Sequence, residues 1–489
     1  MPRVPPSHFA LTLLTLTLSG CGNDNDAVRV TVIGDSASPF ESGTRLSLSG
    51  QLVRAATAEG LVGFDDQGRV IPALADRWII TDDGLSYIFR LRGGTWRDGS
   101  PITGETVKTA LNQNLTSLRG TSLALALSDI ADIRSMAGRV VEIRLTRPSP
   151  DFLQLLAQPE LGLFHQAKGA GPFALKRSGQ NALLTPIPPE KRGLPSPDDS
   201  DQTTRKINLT AVSGKLATAQ FSNAKVDLVL GGTFADYPRI SRLALGKNKP
   251  RLDPVTGLFG LSLTHTNGLL SNPTARQAIA MAIDREAIAS ALSAPTYIST
   301  TRLLPPGIAD DSGQVDERWT GKSMAERQQS ASAIIARWIT AKHHNANLTL
   351  ALPTGPGADL LYNRLKTDLG QISITLTRVS DNAPADLRLI DTVARYARSA
   401  WFLHQLDCTA NRGPCTASAD RLAARANLAE TPKKSTDLAA QAEALHLQNN
   451  VYIPLGTPIR WSLVGTKINT FTVNRWGQHP LPTLATTRK

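Results

Sequence analysis

Cys408 and Cys415 bracket the segment CTANRGPC, and the Gly413-Pro414 pair lets the chain turn back between them. Two thiols this near in sequence can close a disulfide, hold a metal, or remain as two buried free thiols. A structural zinc set needs further Cys or His ligands at matched spacing, and no neighbours supply them. His343-His344 stands in a polar stretch after a helical one, which suits a solvated pair better than metal ligands. The chain contains no G-x-S-x-G elbow, no Walker loop and no H-E-x-x-H. No catalytic residues, metal or cofactor are therefore expected, and the chain does not read as an enzyme.

The remaining cysteine, Cys21, follows Leu18-Ser19-Gly20 at the end of the apolar stretch 9–18, with Arg3 ahead of it. A short apolar core, small residues and then cysteine resembles the lipoprotein signal of bacteria. Residues 1–20 would then be a signal peptide, Cys21 the lipidated N-terminus, and 21–27 a tether; a plain signal peptide with an incidental cysteine is the alternative. Acyl chains on Cys21 imply a protein anchored to a bacterial membrane and facing the oxidising periplasmic space. That compartment favours pairing Cys408 with Cys415. Gly34-Asp35-Ser36 resembles the nucleophile block of GDSL-type hydrolases, yet none of the eight histidines has the Asp three positions earlier that such enzymes require. Ser36 reads as a loop residue.

At 489 residues the chain should form two or three domains. It is 41% hydrophobic and 19% charged, with no apolar run long enough to span a membrane. The formal charge of +12 comes from Lys and Arg scattered through the elements, with no basic block or aromatic-interleaved patch, so nucleic acid is not an expected partner. A mild attraction for anionic ligands or lipid headgroups follows from the charge.

Local patterns set out the elements. Residues 28–33 alternate as a strand. In residues 59–107, turns at Asp66-Gln67-Gly68 and Asp83-Gly84 flank a strand in which Leu85, Tyr87, Phe89 and Leu91 alternate with polar Ser86, Arg90 and Arg92. Asp98-Gly99 turns the chain again, and Thr103 can cap a helix with Glu105 in its first turn. Residues 140–145 resemble one arm of a hairpin, 186–204 a surface loop and 226–230 a strand. Asn272 with Pro273 opens a helix after a strand at 258–268, and Asp284 caps a second. Ser323 and Glu326 form a capping box for a helix through Trp338. Strand 347–352, helix 358–369 and strand 372–376 suggest a βαβ unit, followed by helices at 417–430 and 436–448 and a strand at 461–464.

Read as letters, the stretch 60–107 resembles the extracellular solute-binding proteins of peptide-type ABC importers, family 5. The carriers are Gly60-Leu61, Pro72-Ala73-Leu74-Ala75, Trp78, Asp83-Gly84-Leu85, Tyr87, Leu91-Arg92, Trp96 and Asp98-Gly99. Gly169-Ala170-Gly171-Pro172-Phe173, Arg276-Gln277-Ala278, Ala282-Ile283-Asp284-Arg285 and Leu304-Pro305-Pro306-Gly307 extend the likeness along nearly the whole mature chain. The resemblance implies an α/β fold: two lobes of the type II periplasmic binding fold with an extra α+β subdomain. Lobe I would comprise 28–46, 161–257 and 466–489, the peripheral subdomain 47–160, and lobe II 258–465. It also implies a monomer that captures a peptide or other small solute between its lobes and delivers it to ABC permease subunits. The alternative is an envelope sensor or assembly protein that keeps the fold without feeding a transporter.

In that family an acidic residue of a segment resembling W-x-x-D-Y lines the cleft and pairs with the ligand's ammonium group. Aligning Tyr396 and Phe402-Leu403 here puts Arg395 where the acid is expected, with Arg398-Ser399 at an acidic-Pro pair. A cation in that place favours a carboxylate or phosphate. The expected ligand-binding residues are thus Arg395, Tyr396, Arg398 and Trp401. The plainer alternative has both arginines solvated or paired with Asp391, and Trp401 in the core.

Overall fold

The computed structural model describes residues 27–195, 202–241, 250–410 and 412–488. Cys21 and the signal expected before it lie outside the described residues. Strand Val28–Ile33 is central because Val28, Val30 and Val32 are all buried and a parallel strand pairs with it on each side. It runs parallel to Ile207–Val212 and Leu228–Thr233 in a seven-stranded sheet. Arg460–Val464 and Arg251–Asp253 extend that sheet at one edge, and Phe173–Ser178 with Asn181–Pro186 at the other.

A five-stranded sheet forms around Gly257–Leu263, every residue of which is buried. Leu387–Val393 and Tyr452–Gly456 flank it antiparallel. Ala346–Leu352 and Ile374–Ser380 pair parallel, joined by helix Pro356–Gly370, as a βαβ unit requires. The second of those strands starts two residues later than the apolar run 372–376 suggests, because Ile372 is buried in a turn and Ser373 takes φ 62°. A third sheet of four antiparallel strands holds Ala75–Ile80, Ser86–Leu91, Ile130–Met136 and Val140–Leu145.

Caps appear where side chains can reach their own backbone. Thr103 and Thr106 exchange the hydrogen bonds of a capping box at helix Gly104–Ser117. Asn272 caps Pro273–Ala282, Asp284 caps Arg285–Leu292, and Ser323 with Glu326 opens Met324–Lys342. His343 ends that last helix in the left-handed conformation at φ 53°, exposed to solvent.

Two expectations change. Arg92, expected on the polar face of its strand, is 4% exposed and reaches Glu59 at 2.9 Å, while Arg192 from the expected surface loop 186–204 also pairs with Glu59. One buried carboxylate thus draws in two guanidinium groups. The second crossing falls ahead of residue 465: the chain leaves the five-stranded sheet after Gly456 and enters the seven-stranded one at Arg460. Trp461 decides this. Its ring lies on the backbone of Gly232, where an added Cβ would come within 2.0 Å of it, and its Nε1 donates to the Thr233 carbonyl at 2.9 Å. The first crossing lies between Asp253 and Gly257.

The four-stranded sheet does not have a private core. Phe89, Leu111 and Phe152 belong to one apolar cluster with Trp401, Phe402 and Leu403, and helix Ser122–Ala126 packs against Ser399–Leu406.

Candidate functional site

Residues 390–406 leave strand Leu387–Val393, cross a short loop, and form helix Ser399–Leu406. Helix formation is fixed at its start by Asp310, whose two carboxylate oxygens accept from the Ser399 N–H at 2.8 Å and its hydroxyl at 2.9 Å. The loop carries Arg395, Tyr396 and Arg398 towards the segment 118–163, which belongs with the four-stranded sheet.

Arg395 does not wait for a ligand. Its guanidinium donates to both oxygens of Glu160, at 2.6 and 2.9 Å, and to the Gln158 amide oxygen at 2.6 Å. Glu160 sits in the turn Pro159–Leu161 with its side chain 3% exposed, so it requires a cation there. Burial works against the charge of Arg395, but Glu160 more than restores it and the pKa is raised. Arg398 donates to Asp151 at 2.6 Å, while burial pushes the Asp151 carboxyl up. Asp391, the alternative partner of both arginines, is taken by Arg460 at 2.7 Å, a pair that joins the five-stranded to the seven-stranded sheet. Each arginine meets a carboxylate across the contact, although the Arg398 side chain stays 39% exposed.

Tyr396 and Trp401 are both buried, and Trp401 packs edge-on against Phe402 at 4.9 Å between ring centres. Trp401 is a core residue here. Tyr396 and Arg398 border a cavity of about 200 Å³ with Asp129, Asp151, Asp310 and His404. Asp129 is neutralised there by Arg147 at 2.6 Å.

On the other side of the same segment lies a larger cavity of about 530 Å³. Arg395 and Glu160 form one wall, Thr121 and Ser122 another, and Arg45 and Arg412 project from separate parts of the chain. Arg45 precedes helix Leu48–Thr57, which packs on the seven-stranded sheet through Leu52, Val53 and Ala56. Arg412 belongs to the loop closed by Cys408 and Cys415, whose Sγ atoms are joined at 2.06 Å. The cavity is therefore bordered by both large sheet units. Cys408, Cys415 and Asp420 also lie within metal-ligand reach of one another, but both sulfurs are spent in the disulfide. Asp420 accepts from the Cys408 N–H at 3.1 Å, and burial raises its carboxyl to about 6.

Arg45, Glu160 and Arg412 escape a reading of the sequence alone. Arg412 lies inside CTANRGPC, where the cysteines and the Gly-Pro turn signal a closed loop but nothing signals the direction of the arginine. Ser36 is a turn residue: Asp35 accepts from the Ala37 N–H at 2.8 Å, and no histidine bonds to Ser36 among the described residues.

The family described as bacterial extracellular solute-binding proteins, family 5 Middle, matches residues 69–375, more than half of the chain. Among curated proteins, the probable deoxycholate-binding periplasmic protein YgiS of Escherichia coli K12 is 28% identical over 309 residues, covering 57% of this chain and 56% of its own. The glutathione-binding protein GsiB of Escherichia coli is 24% identical over 326 residues, covering 61% of this chain and 60% of its own. The match thus spans less than two thirds of these relatives. Among solved structures, Haemophilus influenzae OppA in complex with RPPGFSPFR superposes with TM-score 0.80 at 14% identity, covering 94% of this chain and 98% of that one. The murein tripeptide binding protein MppA of Escherichia coli gives 0.79 at 18% identity, covering 94% and 98%. The fold is the two-lobe type II periplasmic binding fold, and the chain belongs to the bacterial extracellular solute-binding proteins of family 5.

Proposed function

We propose that this chain is the solute receptor of a peptide-type ABC importer. It captures a peptide or another small, anionic solute between its lobes and hands it to the permease without chemistry on the ligand. The observation that carries the reading is the 530 Å³ cavity bordered by elements of both large sheets and lined with guanidinium groups. Clefts of this size between units that can rotate are where small ligands are held. Relatives named for glutathione and deoxycholate, both bearing carboxylates, agree with that chemistry. The lobes would be those expected from the sequence, with the last strand 460–464 reassigned, and would hinge at the crossings near 255 and 458.

In this reading Arg395 and Arg398 bind the walls to each other through Glu160 and Asp151, and Tyr396 and Trp401 give the segment its apolar backing. The protein acts as a periplasmic monomer, anchored through Cys21; loss of acyl mass from the N-terminal peptide in a Cys21→Ser variant is the matching measurement. Mass spectrometry of material released from protein purified without denaturation tests the central reading. A bound small molecule is expected, and a cleft that is empty and refuses candidate solutes would sink it.

A second reading draws on the internal pairing of Arg395 with Glu160, which leaves the family's ligand-anchor position already satisfied. An envelope sensor or assembly factor that keeps the fold without feeding a transporter fits that feature. Co-purification of permease subunits from detergent-solubilised membranes separates the two.

A further inference from the structure

The cavity between the lobes contains three guanidinium groups and one carboxylate, and their pairing is unequal. Glu160 is engaged at both oxygens by Arg395, which spends three of its five N–H donors on Glu160 and Gln158. Arg45 has a single long hydrogen bond to the Gly120 carbonyl at 3.4 Å. Arg412 donates to the Gln405 amide oxygen at 2.8 Å. Neither Arg45 nor Arg412 has a carboxylate partner among the described residues. Both residues are exposed at the cavity's border, so two positive charges, one from each lobe, face it without a carboxylate partner. Guanidinium groups so placed match carboxylate or phosphate oxygens in shape and charge.

The surroundings of Arg412 point the same way. Its pKa is pushed down, first by loss of hydration and second by repulsion from Arg395. An anion in the cavity counters the repulsion from Arg395. The Cys408–Cys415 bridge joins positions seven apart in sequence, with Ala410 and Arg412 on the cavity side. Short closed loops hold few conformations, so the bridge limits how far Arg412 can swing away.

We propose that Arg412, presented by the disulfide-closed loop and opposed by Arg45 of the other lobe, is the anchor that selects a carboxylate-bearing solute in the cleft. This rests on the solute-receptor reading above. Arg395 is then a positioning residue that shapes the wall. An anion bridging Arg45 and Arg412 gains contacts only when the lobes are together, so binding the anion favours the closed form.

The test is calorimetric titration of S-methylglutathione, which carries two carboxylates and no thiol to disturb the bridge, beside its diethyl ester, which keeps the ammonium group and neither carboxylate charge. The unmodified protein should bind the acid at least tenfold more tightly than the ester, with affinity falling as salt rises. Arg412→Gln should lose roughly 10- to 100-fold for the acid, the scale of one charge-assisted contact, and little for the ester. Arg412→Lys should keep part of the preference, and Arg45→Gln should lose a comparable amount. Cys408→Ser with Cys415→Ser should weaken the acid selectively while the far-ultraviolet circular dichroism stays unchanged. Equal affinity for acid and ester, no binding of the acid, or an Arg412→Gln variant that matches the unmodified protein overturns the proposal. Solute capture itself is judged separately, by whether any molecule is released from the native protein, so the two readings fail independently.

Discussion

At the scale of single residues, a buried charge is acceptable only where its partner is also buried and well aligned. Glu160 meets that condition through its two hydrogen bonds from Arg395, with Gln158 taking a further donor and Arg54 adding a longer-range attraction. Arg395→Ala is therefore expected to strand the carboxylate and cost about 2–4 kcal/mol, read as a lower urea midpoint at unchanged slope. Pairing Arg395→Met with Glu160→Leu should recover most of the loss, since no charge then remains to be neutralised. Equal destabilisation by the single and double variants would show that the ion pair is not what holds this contact. The partner of Arg395 was not legible in the sequence because it lies 235 residues earlier, inside a turn with no motif of its own. What could be read was only the change of sign at an aligned position.

At the scale of elements, the sequence was most informative where a side chain acts on its own backbone. Thr103, Asn272, Asp284 and Ser323 each cap the helix that their position announces, because the bonds close within three residues. Strand Arg460–Val464 was legible as a strand but not in its sheet. Its place depends on Trp461 lying against Gly232, a contact between parts of the chain 229 residues apart in number. Gly232→Ala is expected to push against the indole and cost about 1–3 kcal/mol, the range for overpacking a filled core. Near-ultraviolet circular dichroism should show an altered tryptophan signal in the same variant. A substitution without effect on stability would mean that the ring has room to move aside.

For the whole molecule, buried groups that titrate set how stability follows pH. His404 and His446 are both held to about 4 by burial, and neither ring nitrogen of His446 has a hydrogen-bond partner among the described residues. The unfolded chain takes up more protons than the folded one between about 4 and the ordinary imidazole value of about 6.5. Their contribution is therefore complete above about 6.5 and is lost as pH falls towards 4. Asp420, raised to about 6, acts in the opposite sense, because on acidification the folded state takes up its proton near pH 6 and the unfolded chain only near its ordinary value of about 3.9. Asp151, Asp368, Asp391 and Glu443 are likewise raised by burial and act with Asp420. The part due to the histidines is therefore read from a His446→Leu variant, which should gain on the unmodified protein by on the order of 1–2 kcal/mol between pH 7 and pH 5. Urea midpoints of the two proteins across that range give the measurement. A His446→Leu variant whose midpoint changes with acid as much as that of the unmodified protein contradicts the assignment of this burial effect.

The sequence by itself determined the family, the α/β class, the caps and turns, and the spacing of the two cysteines that the structure joins. These depend on contacts within a few residues or on patterns written in order along the chain. Only the tertiary structure decided that Asp391 belongs to Arg460, that Glu160 consumes Arg395, and that Arg45 and Arg412 border one cavity without a carboxylate of their own. The physical reason is that ion pairs form wherever folding brings opposite charges out of water together, and sequence order places no limit on which charges those are.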